Sequence, residues 1–100
     1  MKEETLAALN GSIQKWEKIV NGIGVNEGRG NCPLCQLFPD CYGCPVAQIT
    51  NSYGCNNSPY GDWSDHQYKF HNSGEREKVI CDTCKELAIN ELNFIKSLLP

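Results

Sequence analysis

Residues 32–44 read CPLCQLFPDCYGC, and this stretch holds two of the three C-x-x-C pairs in the chain. The three pairs are Cys32/Cys35, Cys41/Cys44 and Cys81/Cys84. A gap of two residues lets both thiolates reach one cation, and two such pairs complete a tetrahedral zinc site. Three pairs in 100 residues therefore predict zinc as the cofactor that organises the fold.

The composition explains why such a chain needs metal. It has 100 residues, of which 40% are hydrophobic and 9% aromatic, and seven of the hydrophobic residues are cysteines. A chain of this length forms one domain, over residues 1–100, and a small core usually needs additional cross-links. The mean hydropathy of −0.46 is also polar. Apolar burial alone is therefore not expected to order the whole chain.

The sequence also indicates a compartment. It begins with Met, carries no basic segment followed by an apolar block, and has no apolar run long enough for a membrane helix. We therefore expect a cytoplasmic protein without a membrane partner, in which thiols stay reduced and bind metal. The net charge of −3, with scattered basic residues, makes nucleic acid a less favoured partner than protein.

Amphipathic helices are predicted at both ends, over residues 1–24 and 82–99. The apolar stripe of the first is Leu6, Leu9, Ile13, Trp16, Val20 and Ile23. The stripe of the second is Cys84, Ala88, Leu92, Ile95 and Leu99. Spacings of three and four residues place each set on one helix face. We expect the two helices to pack as an antiparallel hairpin, giving a mostly α, small metal-stabilised domain.

Residues 25–80, between these helices, form a Cys-rich loop region with little periodicity. Ser58 and Pro59 have the residue types of an N-cap and first helical position, so a short helix is predicted near residues 59–71. Pro45 opens another short helical turn. A loop region this long is improbable in a compact domain unless something besides apolar burial orders it.

The antiparallel arrangement suggests how the cysteines pair. Cys32 and Cys35 follow the first helix, and Cys81 and Cys84 open the second, so all four lie at the same end of the molecule. A loop pair facing a pair in the first turn of a helix is the arrangement of treble-clef zinc sites. The helix N-terminus also stabilises thiolates. This set is therefore the preferred first site.

The remaining cysteines are Cys41, Cys44 and Cys55, which need a fourth ligand. His66 or His71 supplies it, and at most one of them is expected to bind, because five residues separate them and an α-helix places them on different faces. In a competing arrangement, Cys32 and Cys35 join two of the loop cysteines in one cluster. Disulfides, buried thiols and an iron–sulfur cluster are weaker alternatives.

The sequence carries little sign of catalysis. A C-x-x-C pair at a helix N-terminus, such as Cys81/Cys84, is also typical of thiol redox proteins, but no strands precede it. Trp16 belongs to the apolar stripe, while Tyr60 and Trp63 are expected to anchor the short helix to the metal-bound loop. The protein is therefore not expected to be an enzyme.

Five segments together resemble a known family. They are Ser12–Gly22 (SIQKWEKIVNG), Cys32–Phe38 (CPLCQLF), Cys41–Val46 (CYGCPV), Ser58–Trp63 (SPYGDW) and Leu92–Pro100 (LNFIKSLLP). The family comprises small cysteine-rich proteins of unknown function from prokaryotes and their phages. The resemblance implies no activity, and it centres on the loop cysteines through Cys55 more than on Cys81 and Cys84.

These observations lead to one functional expectation. The protein is a non-enzymatic zinc-binding module that acts through protein contacts, such as a phage or host regulatory adaptor. A nucleic-acid-binding zinc module is the alternative, and a thiol redox protein is a weaker one. Zinc ligands are expected among Cys32, Cys35, Cys41, Cys44, Cys55, His66, Cys81 and Cys84.

Overall fold

Short helices account for most of the described chain. The computed structural model describes residues 1–39, 41–50, 57–72 and 76–100. Its α-helices are α1 (Glu3–Val20), α2 (Pro33–Leu37), α3 (Pro45–Thr50), α4 (Pro59–His66) and α5 (Asp82–Lys96). A 3₁₀ turn spans Gly28–Asn31, and a π-helical turn over Gln67–His71 continues α4. The predicted mostly helical fold class is therefore confirmed.

The first helix is shorter than the predicted 1–24 because the chain turns at Gly22. The φ of Gly22 is +77°, and its N–H donates to the carbonyl of Ile19 at 3.0 Å. The N–H of Ile23 donates to the carbonyl of Lys18, also at 3.0 Å. These paired bonds form a Schellman motif, which ends a helix at a left-handed residue. Ile23 lies beyond this turn and is 77% exposed, so its predicted place in the apolar stripe is wrong.

A glycine inside α1 marks where α2 approaches it. A Cβ atom at Gly11 would lie 3.0 Å from Cγ of Pro33, the first residue of α2. This separation is closer than carbon atoms normally pack. Gly11 therefore costs α1 some helix propensity but allows α2 and its neighbouring cysteines to pack against it.

The core lies where α5 contacts both α1 and α4. Its buried apolar residues are Leu9, Ile13, Trp16, Ile19, Leu34, Cys44, Val46, Trp63, Cys84, Ala88, Leu92 and Ile95. The ring of Trp16 meets those of Trp63 and Tyr60 edge to face, with centroids 5.3 Å and 6.0 Å apart. The predicted core position of Trp16 is confirmed. Tyr60 and Trp63 anchor α4 to α1.

The last helix also ends before the predicted residue 99. After Lys96, the N–H groups of Leu98 and Leu99 donate to carbonyls three residues earlier, at 3.0 Å and 3.2 Å. Leu99 is 40% exposed. The contact between the two terminal helices is confirmed, although each is shorter than its apolar stripe suggested.

Within its described residues, the middle of the chain contains one α-helix that the sequence pattern did not predict, α2, besides those that begin at Pro45 and Pro59. The predicted turn at Pro45 is confirmed as α3, and the predicted cap is confirmed because the N–H of Tyr60 donates to Oγ of Ser58 at 3.3 Å. Asn26 is only 1% exposed. It exchanges two backbone hydrogen bonds with Glu77, at 2.7 Å and 3.0 Å. This clip joins the segment after α1 to the segment before α5.

Within residues 1–39, 41–50, 57–72 and 76–100, no helix has enough length and apolar character to span a bilayer.

Candidate metal centre

Two histidines and two cysteines converge beside the start of α5. The ligand atoms of His66, His71, Cys81 and Cys84 all lie within 4.8 Å of one another. Cys84 is buried and the other three are partly buried. Imidazole and thiolate are the ligands that zinc combines in Cys₂His₂ sites. This group could therefore hold a metal ion.

Three of the separations are close to the edges of a coordination tetrahedron. Sγ of Cys81 lies 3.4 Å from Nε2 of His66 and 3.4 Å from Nε2 of His71. The two sulfur atoms of Cys81 and Cys84 are 3.5 Å apart. Metal–sulfur bonds of ~2.3 Å and metal–nitrogen bonds of ~2.0 Å give nitrogen–sulfur and sulfur–sulfur edges of roughly 3.5–3.8 Å. The three distances from Cys81 therefore suit coordination of one ion, while the whole group spans up to 4.8 Å.

The π-helical turn is what brings the two histidines together. In an α-helix, residues five apart point about 140° away from each other around the axis. The N–H of Asn72 instead donates to the carbonyl of Gln67, five residues earlier, at 2.8 Å. Such i→i+5 bonding widens the turn, and the rings of His66 and His71 lie 5.1 Å apart. The reason for expecting at most one histidine ligand, that the two lie on different helix faces, therefore does not apply here, and the number of histidine ligands stays a prediction.

The two cysteines lie at the beginning of α5, where backbone N–H groups are free to bond to sulfur. The pKa of Cys81 is lowered from 9.0 to about 6, chiefly by the backbone N–H of Cys84. A hydrogen bond with His66 adds to this, burial opposes it, and His71 and the Cys84 side chain lower the pKa further. Because a metal ligand must be the thiolate, this environment favours the form of Cys81 that binds.

A buried side-chain amide, that of Gln67, contacts the candidate metal centre. Gln67 is fully buried, and its Nε2 donates to Sγ of Cys84 at 3.3 Å and to the carbonyl of Lys78 at 2.8 Å. The same side chain thus contacts a candidate ligand and the segment that leads into α5. Partners of this kind hold metal ligands in orientation and tune the metal. No sequence pattern points to this role of Gln67.

The structure groups the cysteines differently from the preferred first site. Cys81 and Cys84 lie with His66 and His71, whereas Cys32 and Cys35 line a separate cavity with Cys41 and Cys44. The cause is that α4 and its π-helical turn, packed against α5, place two histidines beside the third cysteine pair. The treble-clef-like pairing of metal ligands stays a prediction.

The predicted second site stays a prediction. His66 lies 3.4 Å from Sγ of Cys81 and groups with it, and Cys55 lies outside the described residues. None of the six described cysteines forms a disulfide in this structure. In the competing arrangement Cys32 and Cys35 join two of the loop cysteines, and Cys41 and Cys44 line the same cavity as that pair.

The chemistry of the Cys₂His₂ group is that of a closed site. Four protein ligands complete a tetrahedron, and a catalytic zinc usually keeps one position for water or substrate. A metal held here would connect the end of the α4 segment to the start of α5, two segments that lie apart in the chain. Its main effect would be to stabilise their arrangement.

The chain was compared with known proteins. No protein-family model matches it, and neither does a curated protein or a solved structure. The resemblance to small cysteine-rich prokaryotic and phage proteins therefore stays a prediction.

Proposed function

We propose that this protein is a non-enzymatic zinc-binding module that acts in the cytoplasm through contacts with a protein partner. The role of a phage or host regulatory adaptor fits such a module. The observation that carries the proposal is the convergence of His66, His71, Cys81 and Cys84 within 4.8 Å. Zinc is the metal proposed because it favours four-coordinate sites of mixed imidazole and thiolate ligands.

The surface around this centre supports a role in binding protein. Tyr68 and Phe70 lie on the π-helical turn between the two histidines, and they are 79% and 71% exposed. Ile80, directly before Cys81, is 51% exposed. Aromatic side chains held by a rigid scaffold are the usual anchors of protein interfaces. A metal bound by the neighbouring histidines would fix the backbone that displays them.

The proposed metal site is tested by removing two of its ligands and measuring the zinc content. Zinc is measured by elemental analysis in protein purified without added metal, for the wild type and for the double variant H66A/C81S. The variant is expected to lose one zinc per chain. Its matched control is D65A/D82N, which alters two exposed neighbours of these ligands and is expected to keep the wild-type metal content. An unchanged zinc content in H66A/C81S would refute this site.

The partner component is tested with the exposed aromatics. Y68S/F70S is expected to keep wild-type zinc content and helicity while losing proteins that cross-link to the wild type in host cells. Y42S, which alters another exposed tyrosine (78% exposed), is the control and is expected to retain them. If the same proteins cross-link to Y68S/F70S and to the wild type, this surface is not the contact.

One observation favours a second candidate, a thiol redox protein. Cys81 and Cys84 lie 3.5 Å apart at the start of a helix, and the pKa of Cys81 is lowered to about 6 by the Cys84 backbone N–H and its neighbours. A thiolate of this kind can attack a disulfide. Redox titration of the metal-free and zinc-loaded protein distinguishes the two functions. Reversible Cys81–Cys84 disulfide formation in protein that never binds zinc would favour redox chemistry.

A further inference from the structure

Four cysteines outside the Cys₂His₂ centre surround one cavity. Cys32, Cys35, Cys41 and Cys44 all line a cavity of about 260 Å³ beside α1, α2, α3 and α5. They come from the two C-x-x-C pairs of residues 32–44, and none of them contributes to the centre at His66. Both C-x-x-C pairs therefore line one cavity, and the two turns that carry them are close in the chain.

Each pair is shaped by its own backbone turn. The N–H of Cys35 donates to Sγ of Cys32 at 3.3 Å. In the second pair, the N–H of Cys44 donates to the carbonyl of Cys41 at 3.1 Å, and Gly43 supplies a φ of +85°. N–H groups directed at sulfur and a tight turn between the thiols are the features by which C-x-x-C pairs hold a metal.

A second observation concerns two polar side chains on the wall of the same cavity. Ser12 and Glu91 are each 3% exposed, and neither Oγ of Ser12 nor Oε1 of Glu91 has a hydrogen-bond partner among the described residues. Both residues line the cavity with the four cysteines. Buried polar atoms are seldom left unpaired in native proteins. Metal-bound sulfur accepts hydrogen bonds, so the Ser12 hydroxyl has a suitable acceptor once the thiols bind an ion.

We propose that Cys32, Cys35, Cys41 and Cys44 form a second metal site, which holds one zinc ion by four thiolates. The sulfur atoms are less closely gathered than the ligand atoms of the Cys₂His₂ centre. Zinc binding therefore draws the two C-x-x-C turns together across the cavity. The ion orders residues 32–44 in the way that the other centre orders the start of α5.

The proposal is tested by measuring how many zinc ions each chain holds and which atoms bind them. The wild type is expected to contain two zinc ions per chain. C41S/C44S is expected to lose one and to keep the Cys₂His₂ site, whereas H66A/C81S is expected to keep one zinc with four sulfur ligands by X-ray absorption. C55S, which removes the remaining cysteine, is the matched control and is expected to keep both ions.

A measurement on the wild-type chain tests the proposal even if the variants fail to fold. Cadmium-113 substituted for zinc in the wild type is expected to give two NMR resonances, one of them deshielded as four sulfur ligands require. Absence of a resonance deshielded as four sulfur ligands require, loss of the second zinc from C55S, or iron with labile sulfide in place of zinc would each overturn the proposal. Failure of the Cys₂His₂ centre would show separately, as a zinc content of H66A/C81S equal to that of the wild type.

Discussion

The rings of Trp16 and Trp63 meet edge to face, with centroids 5.3 Å apart and planes at 89°. This contact joins α1 to α4, and His66 follows Trp63 by one helical turn. Trp63 is fully buried, and its Nε1 donates to Oε1 of Glu77 at 2.9 Å. The position of a candidate metal ligand is therefore tied to the aromatic core.

Replacing Trp63 by leucine is expected to weaken both the fold and the metal centre. The smaller side chain leaves a cavity against Trp16 and removes the hydrogen bond to Glu77, at a cost of about 3 kcal/mol in the free energy of unfolding. The affinity for zinc is expected to fall as well, because α4 no longer holds His66 firmly. Denaturant unfolding and chelator competition measure the two effects. Y42L, a change at an exposed tyrosine, should alter neither; equal stability of W63L and Y42L would contradict this role.

Much of the fold could be predicted because its signals are local. The spacing of Leu9, Ile13 and Trp16 marks one face of a helix, and Ser58 followed by Pro59 marks the beginning of another. These patterns depend only on neighbouring residues. The Schellman turn also has a local signal, which is Gly22 itself, but the apolar Ile23 extended the predicted helix beyond it.

The metal centre could not be predicted to the same degree because it depends on a rare helix type. Nothing in residues 67–71 signals a π-helical turn, and without it His66 and His71 point away from each other. Which cysteine pairs meet depends on how α4 packs against α5, a long-range contact. The sequence predicted Cys81 and Cys84 among the metal ligands but did not place both His66 and His71 beside them.

Gln67 is expected to raise zinc affinity without binding the ion. Its amide donates to Sγ of Cys84, and loss of such a supporting bond typically lowers metal affinity about 10- to 100-fold. Q67M keeps the length and apolar body of the side chain while removing its donors. Chelator competition measures the affinity, and Q48M, at an exposed position of α3, is the control. An affinity of Q67M equal to that of Q48M would rule out the supporting role.

The clip between Asn26 and Glu77 is expected to hold the middle of the chain. Nδ2 of Asn26 donates to Oε1 of Glu77 at 2.6 Å and to the hydroxyl of Tyr60 at 3.0 Å. N26A removes both side-chain bonds of this buried amide, while Oε1 of Glu77 keeps its bond from Trp63, so the free energy of unfolding is expected to fall by about 2 kcal/mol. Y60F removes only one acceptor and is expected to cost less, about 1 kcal/mol. Denaturant unfolding ranks the variants, and a larger loss in Y60F than in N26A would show that the clip is not the main contribution.

Glu91 is expected to make the protein less stable as the pH rises toward neutrality. Burial raises its pKa from 4.5 to about 7; Lys15 opposes this effect, and Cys32 adds to it. Between these two pH values the folded state keeps a proton that the unfolded state has lost. The free energy of unfolding therefore falls through this window, by up to about 3 kcal/mol, and levels off above it.

The variant E91Q removes this titration while keeping the size of the side chain. Its stability relative to the wild type is expected to grow between pH 5 and pH 8, because the amide never has to lose a proton in a buried site. Thermal unfolding across this pH range measures the difference, with E86Q, at an exposed position of α5, as the control. Parallel curves for E91Q and the wild type would mean that Glu91 ionises in the folded protein as easily as in the unfolded chain.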